Sequence, residues 1–206
     1  MNTKTGNTIV ICFLMLFALV FSRPSTGYSK RVYDIPLVKN EDKKEKSLRA
    51  FQTILEVLKD PRCINCHPTG DRPRQGDDQH LHLFNVSRGE SNNGGPVQKC
   101  NTCHHKENNN YSNVPGAPHW SLAPKSMGWF GLTDEEIAKR LTDPEQNGGR
   151  SPEDLVHHMK HDSLVLWGWD PGKGRTPVKV SFNEFEKALD EWLENGAHIP
   201  TEKADN

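Results

Sequence analysis

Two five-residue runs concentrate the reactive side chains of this sequence: Cys63-Ile64-Asn65-Cys66-His67 and Cys100-Asn101-Thr102-Cys103-His104. Both read C-x-x-C-H. A thiol adds across a vinyl group to give a thioether, and two intervening residues let one turn of chain reach both vinyls of a porphyrin. The histidine that follows then lies beneath the iron as its fifth ligand. The pattern points to two covalently bound haems of c type, held by Cys63, Cys66, Cys100 and Cys103 with His67 and His104 on the irons.

Two other uses of four cysteines compete. In an exported chain they can pair as two disulfides, and as two C-x-x-C pairs they can hold one zinc ion. Neither use requires a histidine directly after each pair. Zinc ribbons also place their pairs roughly 15–20 residues apart, whereas 33 residues separate Cys66 from Cys100.

Whether each iron has a sixth ligand decides between an electron carrier and a catalyst. Ten histidines and only two methionines beyond the signal, Met127 and Met159, favour histidine on both sides of each iron. His80 and His82 lie between the motifs, and in an extended segment positions two apart point the same way, so either can serve. Helical stepping of 100° per residue from Leu155 puts Met159 near the centre of an apolar face and His158 at its flank. His157 and His161 then turn toward solvent. His158 is the second candidate ligand, and Met159 reads as core. His105 and His119 carry weaker claims.

The elements that must position these residues are few. Phe51, Ile54, Leu55 and Leu58 predict a helix over 45–59 that leads into the first motif and ends at Asp60-Pro61. Thr133 with Glu136 opens a short helix through Leu141, Ser151-Pro152-Glu153-Asp154 opens another, and Ser181 with Glu184 opens the last, which Gly196 stops. Residues 68–98 and 108–125 read as ordered loop, and no strand is expected.

The totals set outer bounds. Of 206 residues, 33% are hydrophobic, and 26 basic side chains face 27 acidic ones. Such a balance excludes a nucleic-acid binder, and so thin an apolar content suggests that haem supplies much of the interior. Residues 1–22, with Lys4 ahead of the 13-residue apolar run Ile9–Phe21, read as a secretory signal. The run is short of the ~20 residues that span a bilayer, so no stable membrane span is expected in the mature form. Residues 23–44 read as an extended lead-in, 45–200 as the di-haem domain and 201–206 as a tail.

Beyond the motifs, Gly70-Asp71-Arg72-Pro73, Gln75-Gly76-Asp77-Asp78, His80-x-His82, Pro115-Gly116, Leu122-Ala123-Pro124, Ser126-Met127-Gly128-Trp129, Asn147-Gly148-Gly149-Arg150, His158-Met159 and Trp167-Gly168-Trp169 together resemble small exported bacterial di-haem c-type cytochromes, often labelled isoquinoline 1-oxidoreductase subunits. The resemblance runs from about Phe51 to about Pro200. The layout is also similar to the small di-haem subunit of periplasmic nitrate reductase, where a histidine between the motifs is a distal ligand. That resemblance implies His80 or His82 in this role.

The expectation is therefore a mainly α, loop-rich di-haem cytochrome c domain with a few short helices packed around two haems. It would pass single electrons between redox proteins, as donor and acceptor, in the periplasm or outside the cell. Two alternatives stay open: a homo-oligomer or haem-conducting filament, and a haem enzyme such as a small peroxidase or reductase, which would need one open coordination site.

Overall fold

The structure, a computed structural model, describes residues 42–201. The expected signal, nearly all of the lead-in and nearly all of the tail lie outside the described residues. Asp42 accepts a hydrogen bond from Glu45 N (2.9 Å) and opens α1, Lys43–Leu58. That cap starts the helix at Lys43, two residues ahead of the expected start at residue 45. After Lys59 the chain does not simply leave helical conformation. Asp60 accepts from Arg62 N (2.9 Å) and Pro61 takes the first position of a one-turn helix, α2, Pro61–Ile64. This turn carries Cys63.

The C-terminal half is helical: α3 (Asp134–Thr142), α4 (Pro144–Asn147), α5 (Pro152–His161), α6 (Ser163–Leu166) and α7 (Phe182–Glu194). Reciprocal capping boxes start α3 at Thr133/Glu136, α5 at Ser151/Asp154 and α7 at Ser181/Glu184. At the end of α7, Gly196 adopts φ +98° and Ala197 N donates to Trp192 O (2.8 Å), closing the helix.

α1 lies along α7, with the Phe51 and Trp192 ring centroids 5.6 Å apart. Ser47 Oγ donates to Trp192 O (3.1 Å) and accepts from His198 N (2.9 Å), pinning the two ends together. Ile137, Leu141, Leu155, Met159, Phe185 and Leu189 join Phe51, Ile54 and Leu55 in one apolar cluster. Each fully buried side chain of this kind contributes about 1.5–3 kcal/mol. The helical half thus has a core of its own, contrary to the expectation that haem must fill the interior. The apolar residues are concentrated in four helices, which the overall fraction conceals.

Residues 65–128 are built differently. Their only paired strands are β1 (Arg74–Gln75) and β2 (His80–Leu81), an antiparallel hairpin with Gln75 opposite His80. No strand was expected here. Gly76 and Gln79, both at positive φ, make the tight turn that pairs two residues on each side. Few apolar side chains are buried in this stretch, among them Val86, Ala117 and Leu122.

Its organising residue is a buried arginine. Arg88 donates to Pro68 O (3.0 Å), Gly70 O (3.2 Å), Asn92 Oδ1 (2.8 Å) and Ala123 O, tying the exit of the first motif to two later loops. Five donors in a rigid planar group suit a junction of carbonyls. The described part of the chain is therefore loop-rich and moderately helical with little sheet. No helix among the described residues is long and apolar enough to cross a membrane.

Candidate cofactor sites

The first site lies where the loop region meets the helices. α2 and the turn after it deliver Cys63, Cys66 and His67, with Cys66 N donating to Cys63 O (3.1 Å) and His67 N to Ile64 O (3.1 Å). His67 Nδ1 bonds Met127 O at 2.7 Å, and the ring stacks on Trp129 with centroids 3.5 Å apart and planes 14° from parallel. A ring whose Nδ1–H is committed to a carbonyl keeps its Nε2 lone pair for a metal.

Gly128 makes this approach feasible. A Cβ there would collide with the Pro68 carbonyl, so only glycine lets residues 127–129 lie against the chain leaving the motif. Trp129 N then donates to His67 O (2.9 Å), and its indole Nε1 donates to Leu58 O (2.8 Å) at the end of α1.

His67 and, from α5, His158 both line a largely apolar cleft of about 1250 Å³, counted to include its mouth. Val57, Leu58, Leu155, Met159 and Trp129 contribute to the walls, and Arg62, Arg150 and Asp162 to the polar edge. His158 Nδ1 lies 3.5 Å from Asp162 Oδ2, again leaving Nε2 for the cleft. Met159 is buried in the core and His157 and His161 are exposed, as helical stepping places them.

Burial decides the protonation states here. It pushes the Cys66 thiol up to about 11, with the nearby Cys100 adding to the shift, and pushes Cys63 higher still. It pushes His67 down to about 4, with His158 contributing in the same direction. Burial also lowers His158, against the raising effect of Asp162. At neutral pH this site therefore offers two neutral thiols and neutral imidazoles.

The second site repeats the same local parts in a more open setting. A short 3₁₀ turn, Cys100–Thr102, ends in Cys103, and His104 N donates to Cys100 O (2.9 Å). His104 Nδ1 bonds Pro115 O at 2.7 Å, and Trp120 stacks on the ring at 4.5 Å, 7° from parallel. Once more a glycine follows the accepting carbonyl. A Cβ on Gly116 would strike the carbonyls of His105 and Glu107.

The imidazole facing His104 is that of His82. Their ring centroids are 6.1 Å apart and their planes cross at 73°. Two imidazoles on opposite sides of one metal atom, each nitrogen at ~2 Å and each ring centre ~1 Å further out, sit roughly 6 Å apart. His82 Nδ1 is committed to Leu83 O (2.7 Å), while Arg72 Nη2 donates to His82 O (3.1 Å) and His82 N to Pro73 O (2.9 Å). Partial burial lowers His104, and proximity to His82 lowers it further.

His80 stands apart from this arrangement. It is exposed, and its Nδ1 bonds Asp78 Oδ1 at 2.6 Å. β2 ends at Leu81, and His82 lies just beyond it, where its ring meets that of His104. His105 and His119 are exposed, and His119 lines the first cleft together with a polar recess beside His104.

The two sites adjoin. Besides the electrostatic effect of Cys100 on Cys66, Trp120 meets Trp167 edge-on at 4.9 Å, and Trp167 lines the first cleft. Trp167 Nε1 donates to Asn108 Oδ1 (2.9 Å), and Asn108 Nδ2 donates to Asp170 O (3.0 Å), fastening the second site to the helical half.

The four thiols are unpaired. Among the described residues no three or more histidine, cysteine or acidic side chains converge as a site for a bare metal ion. The sequence reading did not single out Trp120 and Trp129 as stacking partners, nor Asp162 beside His158, nor Arg88. A glycine directly after each accepting carbonyl, in Pro115-Gly116 and Met127-Gly128, with a tryptophan one or four residues beyond, is the signal that marks the two shelves. Comparison with protein-family models, curated proteins and solved structures finds no match to this chain.

Proposed function

We propose that this chain is an exported di-haem c-type cytochrome that passes single electrons between redox proteins. Cys63, Cys66 and His67 would hold one haem, with His158 as its second histidine, and Cys100, Cys103 and His104 would hold the other, with His82 as its second. The observation that carries this reading is the opposed pair His82 and His104. Their spacing suits a single metal atom between them, and each Nδ1 is already committed to a carbonyl. When bound, haem supplies a one-electron Fe(III)/Fe(II) couple whose potential depends on axial ligands, burial and hydrogen bonds.

The chain's own residues do the rest. A second histidine at each site, His158 or His82, would leave no open position on the iron for substrate, which favours electron transfer over the peroxidase or reductase alternative. The backbone carbonyls of Met127, Pro115 and Leu83 hold three of the four rings by their Nδ1 atoms, so little needs to move when the charge on the iron changes. The walls of the first cleft are largely apolar and match the faces of a porphyrin. Around the second site Cys103, Leu83, Phe84 and Val97 are exposed, which makes this side the natural place for a redox partner to meet the protein.

The test is the optical and paramagnetic spectrum of the exported holoprotein. Two haems per chain and wholly low-spin iron in both oxidation states are expected. His82→Ala and His158→Ala should each turn one haem, and only one, high-spin. A single haem, a high-spin wild type, or two silent substitutions would overturn the reading.

A further inference from the structure

The inner side of α5 presents His158 to the first cleft. Its outer side carries a second pair of imidazoles that electron transfer leaves unused. His157 and His161 lie one helical turn apart, both are exposed, and their ring centroids are 4.6 Å apart with planes inclined by 58°. Their polar neighbours are engaged elsewhere, His158 with Asp162, and Lys160 with Asp190 (2.9 Å) and Glu186 (3.3 Å).

Residues four apart on a helix share a face, and two histidines in that relation can chelate one ion. Ring separation distinguishes how two imidazoles share a metal. Across the metal from one another they sit roughly 6 Å apart, as His82 and His104 do; side by side at about a right angle they sit roughly 4.5 Å apart. The pair on α5 has the second spacing. Two adjacent nitrogens, with the remaining positions open to water, suit the tetragonal preference of Cu(II), which also heads the divalent series in affinity for nitrogen ligands.

We propose that His157 and His161 form an exposed binding site for a divalent transition-metal ion, with Cu(II) bound most tightly. The site does not depend on the haem assignment, since neither ring faces a cleft and a surface chelate needs no cofactor.

The experiment titrates the holoprotein with Cu(II) supplied as its glycine complex, following bound copper by equilibrium dialysis and its ligands by electron paramagnetic resonance. One tight ion per chain with a two-nitrogen hyperfine pattern is expected. His157→Asn and His161→Asn should each weaken binding more than about tenfold while the haem spectrum is unchanged. Because both side chains are exposed, neither substitution threatens the fold. Wild-type copper binding in the doubly substituted protein, or a one-nitrogen pattern in the wild type, would reduce the pair to two stacked surface rings. A lost haem spectrum, by contrast, would count against the cytochrome reading and not against this site.

Discussion

The two candidate sites share their local parts and differ in what surrounds them. Each has a C-x-x-C-H run, a histidine whose Nδ1 is held by a carbonyl, a glycine after that carbonyl, and a tryptophan flat against the ring. The first is set against the helical core, with its facing histidine on α5. The second is set in loops, with its facing histidine just past a two-residue strand. The proximal half of a site is thus a local construction that can be repeated along the chain. The facing half belongs to whatever element the fold brings opposite, and here the two have nothing in common.

If that division is right, the first site should depend on the junction that ties the exit of its motif to the later loops. Arg88→Met is the severest test. It removes the donor to Pro68 O, Gly70 O and Ala123 O and leaves buried carbonyls unpartnered, at about 1–3 kcal/mol each. A loss of about 3 kcal/mol or more in urea unfolding is expected, with the first site disturbed before the second. Equal disturbance of both would erase the distinction.

Acid should test the burial of the rings next. His67 is held near 4 in the folded chain against about 6.5 when unfolded. Between those values the unfolded state binds the extra proton, so stability rises with pH across the window and falls as pH drops from about 6.5 to 4, by up to about 3 kcal/mol. Burial lowers His104 in the same direction. Urea unfolding followed from pH 7 to pH 4 should therefore show stability falling as pH drops. Stability that stays level over this range would mean that neither ring is held neutral by burial.

A smaller effect isolates the second site. Gly116→Val places a side chain against the carbonyls of His105 and Glu107 and pushes Pro115 O away from His104. Overpacking of this kind costs about 1–3 kcal/mol. The second haem should lose its regular low-spin signal while the helical half melts as before, which far-ultraviolet dichroism would follow.

The same division explains what could be read without a structure. The motifs, the helix starts at Thr133, Ser151 and Ser181 and the apolar stripe of α1 are local patterns a few residues long, and each was legible. So was the outward turn of His157 and His161, which follows from helical stepping alone. The choice between His80 and His82 was not, because it depends on which of them the fold brings against His104 from the other motif. Arg88 was invisible for a related reason. The three carbonyls it binds lie 18 to 35 residues away, and no periodicity links them. The core was misjudged because an average over the whole chain hides the concentration of apolar residues in four helices.

The finest difference between the sites is what the facing histidine leans on. His82 donates to a neutral carbonyl, whereas His158 lies beside the carboxylate of Asp162 at 3.5 Å. A carboxylate makes the imidazole a stronger donor and favours the oxidised iron. Asp162→Asn is a clean probe because Asp162 Oδ1 also caps α6, accepting from Leu164 N (2.8 Å), and asparagine caps equally well. Neutralising the group at fixed shape should raise the midpoint potential of one haem by roughly 40 mV, the equivalent of about 1 kcal/mol for one electron. The other haem should not move. A potentiometric titration read at the low-spin bands resolves the two couples. If both rise together, the carboxylate acts on the whole domain as a diffuse charge and not on one ligand through its hydrogen bond.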